Sequence, residues 1–523
     1  MKRIRVLGLI LSVLLLSLAL VSCEKDKLEE DRYEEAGGSA GLLYVENDDG
    51  TSSVAGIGDC TDTEIVIPTS SPDGRRVSSI EPYAFRGNET LTSVKIQGSV
   101  VSIGDWAFHN CPSLVSVSLG ENVRTIGSGA FAECSAVTSV AFPDRVATIG
   151  AFSFFNCTGL TEIEVGTGVA EIGASAFSGC YRVKEASFGS SVKSIGSSAF
   201  NCCALETLRY SGTVGDWCAI KFKGDPVFGD KTTELLLNGE PIEGQVTVPD
   251  GVTEIGAYTF ALFPKMTSIV LPKSLKVIEK NAFATRKCPL LQTVEYTGTI
   301  ADWCGIKLEE DTGWYNVENI RVNGEWIEGE VAVPEGVAKI GDRCFCLFKK
   351  MTAITLPDSL TSIGKYAFAG CTSLKRINIP DGVKEIRDYT FNGCTSLRYV
   401  DLGNGVEKIG YWAFHNCCKG NWGIMPPSES DSAERWAEYY EWCDQNCGLT
   451  EIVIPASVKY ISSYAFWECS QLEKVTFENT EGWTRSDDRG KTKTPVDVSN
   501  PSENAVAMWS SMTAYYSWER VSD

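Results

Sequence analysis

The sequence predicts a repeat solenoid: parallel β-strands stacked rung on rung, joined by short helical or 3₁₀ turns, with a 23-residue period. Three observations predict it. Phenylalanines recur at Phe85, Phe108, Phe131, Phe154, Phe177 and Phe200, each 23 residues after the last; the spacing resumes at Phe260 and Phe283, and again at Phe345, Phe368, Phe391 and Phe414, with a last member at Phe466. Each Phe is preceded five residues earlier by Ile, from Ile80 to Ile461, and eight residues earlier by Val or Leu, as in Val77, Val100, Leu275 and Val458. Downstream of the Phe, apolar residues alternate: Val94 with Ile96, Val117 with Leu119, Ile163 with Val165, Ile377 with Ile379. A fixed period this long means stacked units, each too small to bury its apolar face alone.

Each element of the unit follows from its residues. Alternating β-branched residues read as a short strand with one face inward. Pro often ends it, as at Pro143, Pro272, Pro357 and Pro380. The Gly that often follows the Ile, as at Gly104, Gly127 and Gly150, suits a tight corner needing positive φ or close backbone approach. The small residue before the Phe fits a crowded turn. Stacking such units lays strand on strand and closes a continuous parallel sheet.

The blocks VVSIGDWAFHNCPSLVSVSL (100–119) and LTSIGKYAFAGCTSLKRINIP (360–380) resemble the BspA-like branch of leucine-rich repeats, over about 77–477. The resemblance implies a right-handed superhelix and a non-catalytic surface or secreted protein, often an adhesin for host proteins. It implies the fold more strongly than the ligand.

Two intervals between repeat phenylalanines are long, 200–260 and 283–345, and they match each other. YSGTVGDWCAIKF (210–222) pairs with YTGTIADWCGIKL (296–308), and LLLNGEPIEGQVTVP (235–249) with IRVNGEWIEGEVAVP (320–334). Each reads as an expanded rung whose Asn-Gly pair, Asn238-Gly239 or Asn323-Gly324, turns a hairpin. A structural bulge is favoured over a dedicated ligand site. A third insertion, near 419–448, begins as a Pro/Ser loop and continues as an amphipathic helix over 432–443 carrying Trp436, Tyr439, Tyr440 and Trp442.

The N-terminus reads as an address. Lys2, Arg3 and Arg5 precede a short apolar stretch that ends Leu20-Val21-Ser22-Cys23, which resembles a bacterial lipobox with Cys23 as the lipid anchor. The Lys-then-acidic stretch that follows resembles the surface-export signal of Bacteroidota lipoproteins. The expected organisation is a lipoprotein signal peptide at 1–22, an acidic tether at 23–39, an N-terminal cap at 40–76 and the solenoid at 77–477, with insertions near 210–249, 296–334 and 419–448. A C-terminal cap at 478–523, with Trp483, Trp509 and Trp518, closes the other end. The expected location is the outer membrane, lipid-anchored and facing the cell exterior.

The chemistry argues for binding rather than catalysis. A net charge of −21 repels nucleic acid and anionic lipid, so membrane contact is expected through the lipid alone. The two histidines, His109 and His415, occupy one repeat position in WAFHNC, which points to repeat descent. Cys111, Cys134, Cys157, Cys180, Cys203, Cys371, Cys394, Cys417 and Cys469 all lie three residues after the repeat Phe, a ladder of small buried hydrophobes rather than a metal site. Off the ladder, Cys418, Cys443 and Cys447 leave room for a local disulfide. No cofactor and no catalytic group is expected.

One row is a candidate binding site. Two residues before the repeat Phe lie Tyr83, Trp106, Phe152, Tyr258, Tyr366, Tyr389, Trp412 and Tyr464, interrupted by Gly129, Ser175, Ser198, Asn281 and Arg343. Aligned rungs would make an aromatic stripe, a surface that stacks on sugars or anchors proteins. The interruptions favour lateral stacking that stiffens the turn. The expected partner is an extracellular protein bound through the solenoid surface; the alternative is a glycan, with the chain a polysaccharide-binding accessory lipoprotein of a glycan-uptake system.

Overall fold

The computed structural model describes residues 37–228, 233–283, 288–309, 312–314, 316–346, 348–417, 448–469, 472–486, 493–509 and 516–520. They fall into two compact units, one running to Ile242 with Ala257–Pro264, the other made of Glu243–Gly256 and the residues from Lys265 on. Each unit is a parallel β-solenoid. Cys23, the tether, the 432–443 segment, Cys418, Cys443 and Cys447 lie outside the described residues, as does the side chain of Trp509.

The strands predicted from alternation form one ladder: Ser93–Ile96, Ser116–Ser118, Val140–Ala141, Glu162–Glu164 and Glu185–Gly189 pair in parallel. The single continuous sheet expected from the sequence is in fact two. The Val-x-x-Ile edge is itself a strand, and Ser102–Ile103, Thr125–Ile126, Thr148–Ile149 and Glu171–Ile172 pair in strict register. In the first unit each sheet has nine strands. Backbone pairing explains the second sheet: Arg124 N donates to Val101 O at 2.7 Å and Gly127 N to Ile103 O at 2.9 Å, so extended edges satisfy each other between rungs.

The turn carrying the Phe is neither helical nor a plain 3₁₀ turn. Alternate amides, those of Tyr83, Phe85 and Gly87, donate to the following rung at Asp105, Ala107 and His109, while Ala84, Arg86 and Asn88 donate three residues back. Left-handed residues at Tyr83 (φ 63°) and Gly87 (φ 74°) produce the alternation. The turn is therefore a third hydrogen-bonded ladder along the solenoid. The corner glycines have a different role. Gly104 is not left-handed, but a Cβ there would lie 2.4 Å from Pro82 N of the preceding rung, so close approach is the reason for Gly.

Ladders of identical side chains fill the core. The rings of Phe85, Phe108, Phe131, Phe154, Phe177 and Phe200 stack at 4.9–5.7 Å, and Phe345, Phe368, Phe391, Phe414 and Phe466 at 5.1–5.4 Å. Each such burial contributes about 1.5–3 kcal/mol. The cysteine ladder is buried as expected, but it is more than apolar filling. Cys134 Sγ donates to Phe108 O at 3.0 Å, Cys157 to Phe131 O at 3.1 Å and Cys394 to Phe368 O at 3.1 Å; the other ladder members do likewise. The thiol gives the Phe carbonyl a further donor from the next rung, beside the backbone amide that most of these carbonyls already accept, as Phe131 O does from Cys134 N at 3.3 Å and Phe368 O from Cys371 N at 3.1 Å.

Each long interval hides a rung. Phe228 stacks on Phe200 at 5.3 Å, and Trp314 packs on Phe283 at 5.3 Å, so each continues the core ladder off the 23-residue spacing. In each, a short helix replaces a corner: α1 (Val214–Cys218) and α2 (Ile300–Cys304). Both start on a capping box, with Thr213 paired to Asp216 and Thr299 to Asp302. Their indoles anchor the helices, Trp217 Nε1 donating to Thr259 O and Trp303 Nε1 to Cys344 O, both at 2.7 Å. The hairpins form as predicted: Asn238 (φ 50°) and Gly239 (φ 87°) turn Glu234–Leu237 onto Glu240–Pro241, and Asn323-Gly324 does the same for Asn319–Val322 and Glu325–Trp326. At the third insertion, Gly448 N donates to Cys417 O at 3.0 Å and Phe466 stacks on Phe414 at 5.1 Å, so the rungs on either side are adjacent.

Antiparallel strands cover rung edges at both extremes of the described chain. Leu43–Glu46 folds back on Ser52–Gly56, which pairs with Val77–Ile80. Ser517–Arg520 runs antiparallel to Tyr460–Ile461 and to Trp483–Ser486. Trp483 and Trp518 are buried, and both rings contact Phe477. A third helix, α3 (Pro501–Trp509), docks through Asn504 Nδ2, which donates to Val475 O at 3.1 Å. Reversed strands offer the wrong register for a further parallel rung.

Candidate binding surface

Every residue of the row two before the Phe is left-handed. Tyr83, Trp106, Phe152, Tyr258, Tyr366, Tyr389, Trp412 and Tyr464 have φ of 55–63°, and the interrupting residues match them, with Gly129 at 63°, Ser175 at 53°, Ser198 at 56°, Asn281 at 58° and Arg343 at 59°. Bulky residues rarely adopt this backbone, which persists only where the surroundings over-determine it. Here the amides of Tyr83, Trp106, Phe152, Arg343 and Tyr366 are among those tied to the next rung, as Tyr389 N is to Tyr411 O at 2.9 Å. The conformation belongs to the solenoid, and the side chain at the position is left free to vary.

The structure brings half of the predicted residues together. In the second unit Tyr366 and Tyr389 stack at 4.5 Å, Trp412 lies 5.5 Å from Tyr389, and Tyr464 lies 6.3 Å from Trp412. Arg343, one rung before Tyr366, places its guanidinium 4.1 Å from the ring centroid. Arg343 is thus a member of the surface rather than an interruption of it. Tyr411, His415 and Trp467, not among the predicted residues, complete the cluster: Tyr411 lies 5.7 Å from Tyr464, and Trp412 lies 4.0 Å from His415 and 5.1 Å from Trp467. The signal for the last two was present, since Trp467 and His415 share the position after the Phe.

In the first unit the row does not assemble. Gly129 separates Trp106 from Phe152, and Trp106 fills that space itself: a Cβ on Gly129 would sit 2.3 Å from Trp106 Cε3. Tyr83 and Phe152 are exposed, at 53% and 40%. Ser175 and Ser198 precede Tyr258, which is half-buried, in the row.

The titratable groups are tied into structure. His109 Nε2 lies 3.6 Å from Glu133 and His415 Nε2 3.1 Å from Glu468, in each case a carboxylate two residues after the Phe of the next rung. The two histidines are one repeat feature, as their shared position implied. Burial pushes the Cys157 and Cys203 thiols up to about 12, which keeps them protonated and poor as nucleophiles or ligands. Among the described residues no group of three or more His, Cys, Asp or Glu side chains is placed to hold a metal ion.

Three hydrogen-bonded ladders, a buried Phe-Cys core and a 23-residue strand-and-turn unit define the leucine-rich-repeat class of solenoid. The BspA type leucine rich repeat region matches in six copies, over residues 78–206, 242–304, 329–428 and 434–485. The matched residues are about two thirds of the chain, and the chain belongs to this family. Among solved structures it is similar to a leucine-rich repeat protein from Bacteroides ovatus, at 24% identity over 72% of this chain and 91% of that one, with a TM-score of 0.39. It is also similar to a leucine rich cell surface protein from Faecalibacterium prausnitzii, at 23% identity over 76% and 95% of the two chains, with a TM-score of 0.35. A third similar structure is the Treponema pallidum (T. pallidum) leucine rich repeat protein, at 24% identity over 36% and 90%, with a TM-score of 0.31. No curated protein matches the chain.

Proposed function

We propose that the chain is a non-catalytic cell-surface binding protein, adhesin-like, that holds an extracellular protein on the turn face of its second unit and is itself held at the outer membrane by lipid on Cys23. The observation that carries this reading is the continuous half-exposed row Arg343, Tyr366, Tyr389, Trp412 and Tyr464. Aromatic and Arg side chains held rigidly, with little entropy left to lose, are what protein hot spots are made of. A protein ligand suits the row better than a sugar. Tyr366 has Arg343 on one side and Tyr389 on the other, so no ring face remains for a pyranose to stack on. Ring edges and hydroxyls remain, which a protein surface can use.

The exposed Tyr83 and Phe152 favour a second reading, in which the first unit holds a polysaccharide for an uptake system. One screen separates the two. The purified mature chain is tested on immobilised extracellular matrix and serum proteins and on a glycan array. Protein binding lost in Tyr389→Ala/Trp412→Ala and kept in Tyr83→Ala/Phe152→Ala supports the first reading. Glycan binding with the opposite dependence replaces it by the second. External protease on intact cells tests the location: a chain cleaved only after the outer membrane is broken sinks the surface reading.

A further inference from the structure

The second unit carries a cleft that the row alone does not explain. The edge ladder breaks there. Lys307–Leu308 pairs back to Val277–Ile278, and Lys339–Ile340 pairs forward to Ser362–Ile363, but the two do not pair with each other. At one end Gly341 N donates instead to Cys304 O, at the C-terminus of α2. The break opens a cleft of about 680 Å³, within the usual size of a binding pocket.

Its charge runs against that of the chain. In a protein of net charge −21, the described residues lining the cleft include Lys280, Lys307, Lys339, Arg343 and Lys365, against Glu309 and Asp342. Two of the cations are already paired, Lys307 with Glu309 and Lys365 with Asp388, both at 2.8 Å. Lys280, Lys339 and Arg343 have no carboxylate partner among the described residues. At the matched positions of the first expanded rung stand Ser197, Glu254 and Tyr258, so the duplicated insertion did not require these three charges. Arg343 is also preorganised. Its guanidinium carbon sits 4.1 Å from the Tyr366 ring centroid, and its planar fork of N–H groups suits a carboxylate held by two hydrogen bonds.

We propose that this cleft takes an acidic peptide segment of the protein partner, its carboxylates held by Lys280, Lys339 and Arg343 while the adjoining aromatic row packs against the rest of that partner. The inference deepens the binding reading given above and rests on it. A peptide fits better than an anionic glycan because Tyr366, the one ring among the described residues on the cleft wall, has both faces covered.

The test is fluorescence anisotropy of labelled hexaglutamate on the purified mature chain, with hexaglutamine and a sulfated heparin-derived oligosaccharide as comparison probes. The expected result is salt-sensitive hexaglutamate binding that weakens by about tenfold or more in Lys280→Gln/Lys339→Gln. Arg343→Lys, which keeps the charge and loses the planar fork, weakens it less. Lys95→Glu/Arg182→Glu, at exposed positions of the first unit, leaves it unchanged. Circular dichroism melts confirm that the variants fold, and the Gln pair touches only exposed lysines. No hexaglutamate binding by the wild type, or equal loss in the first-unit control, overturns the proposal. Tighter binding of the sulfated oligosaccharide with the same variant dependence assigns the cleft to a glycan and overturns it too. A protein partner from the screen that is lost in Tyr389→Ala/Trp412→Ala but keeps its affinity in Lys280→Gln/Lys339→Gln defeats the cleft and leaves the binding reading standing. Hexaglutamate binding that survives in the aromatic variant and fails in the lysine variant supports the cleft whatever the screen finds.

Discussion

The two units share one backbone and differ in what they display on it. In the first, the left-handed row reads Tyr83, Trp106, Gly129, Phe152, Ser175, Ser198, Tyr258; in the second it reads Asn281, Arg343, Tyr366, Tyr389, Trp412, Tyr464. The φ values are the same within about ten degrees throughout. A left-handed residue with a side chain costs about 1–2 kcal/mol. Glycine would avoid that cost at every rung, and the solenoid takes it only at Gly129. In the second unit the side chains recover the cost by stacking on one another. In the first, Gly129, Ser175 and Ser198 break the row, and Tyr83 and Phe152 stay exposed. The core does not distinguish the units, and the surface does.

The largest expected effects test the claim that the cores are alike. Phe154 lies between Phe131 and Phe177, and Phe391 between Phe368 and Phe414, all at 5.1–5.4 Å. Phe154→Ala and Phe391→Ala should each cost about 3–5 kcal/mol, read by hydrogen exchange within the affected unit. A difference of more than about 1 kcal/mol between them would mean that one core is better packed and would break the comparison.

The thiol ladder is next. Cys157 and Cys394 each donate to a Phe carbonyl one rung back, at 3.1 Å. Replacing either by Ala removes one of two bonds to a carbonyl that still accepts a backbone amide, at about 0.5–1.5 kcal/mol. Ser keeps a donor and should cost less than Ala in both units. Equal losses for Ser and Ala in thermal melts would reduce the ladder to apolar filling.

How far this was legible in the sequence depends on the length of the signal. The period, the Phe core and the Cys ladder stand out because they repeat thirteen and nine times. The edge sheet does not, because strands of two residues, such as Ser102–Ile103, are too short to alternate. The hidden rungs were missed because Phe228 and Trp314 fall 28 and 31 residues after the preceding Phe, off the period. The left-handed row was masked by Tyr and Trp where Gly or Asn would announce it; only Gly129 and Asn281 hinted at it. The cleft could not be read at all, since its cations come from four separate rungs and only pairing shows which of them are already neutralised.

The row itself gives a smaller effect with opposite signs. Tyr389→Gly removes the left-handed strain but loses the stack on Tyr366 and the contact with Trp412. The net cost should be about 1–2 kcal/mol. Ser198→Gly removes the same strain with no ring to lose, and the gain is offset by the added freedom of the unfolded glycine. It should fall between zero and a gain of about 1 kcal/mol. Two variants moving the melting temperature in the same direction would show that stacking does not support the row.

The smallest effect returns to a feature the units share. Asp216 and Asp302 accept from the amides and hydroxyls of Thr213 and Thr299, with the amide the larger influence, and both carboxyls are held below their ordinary value of 3.8. A depressed folded value means that the capping box stabilises fully above 3.8 and loses that stabilisation as pH falls through the lower folded value. Both groups are largely exposed, so the contribution of each is a fraction of a capping interaction. Melting temperatures of the wild type and of Asp216→Asn/Asp302→Asn should therefore converge as pH is lowered from about 5 to about 2. Convergence in the single variants should be equal, because the two boxes have the same geometry, with amide-to-carboxylate distances of 2.9 and 3.0 Å. A gap that stays constant across that range would mean that the carboxylate charge plays no part in the cap and that hydrogen-bond geometry alone holds α1 and α2 in place of a corner.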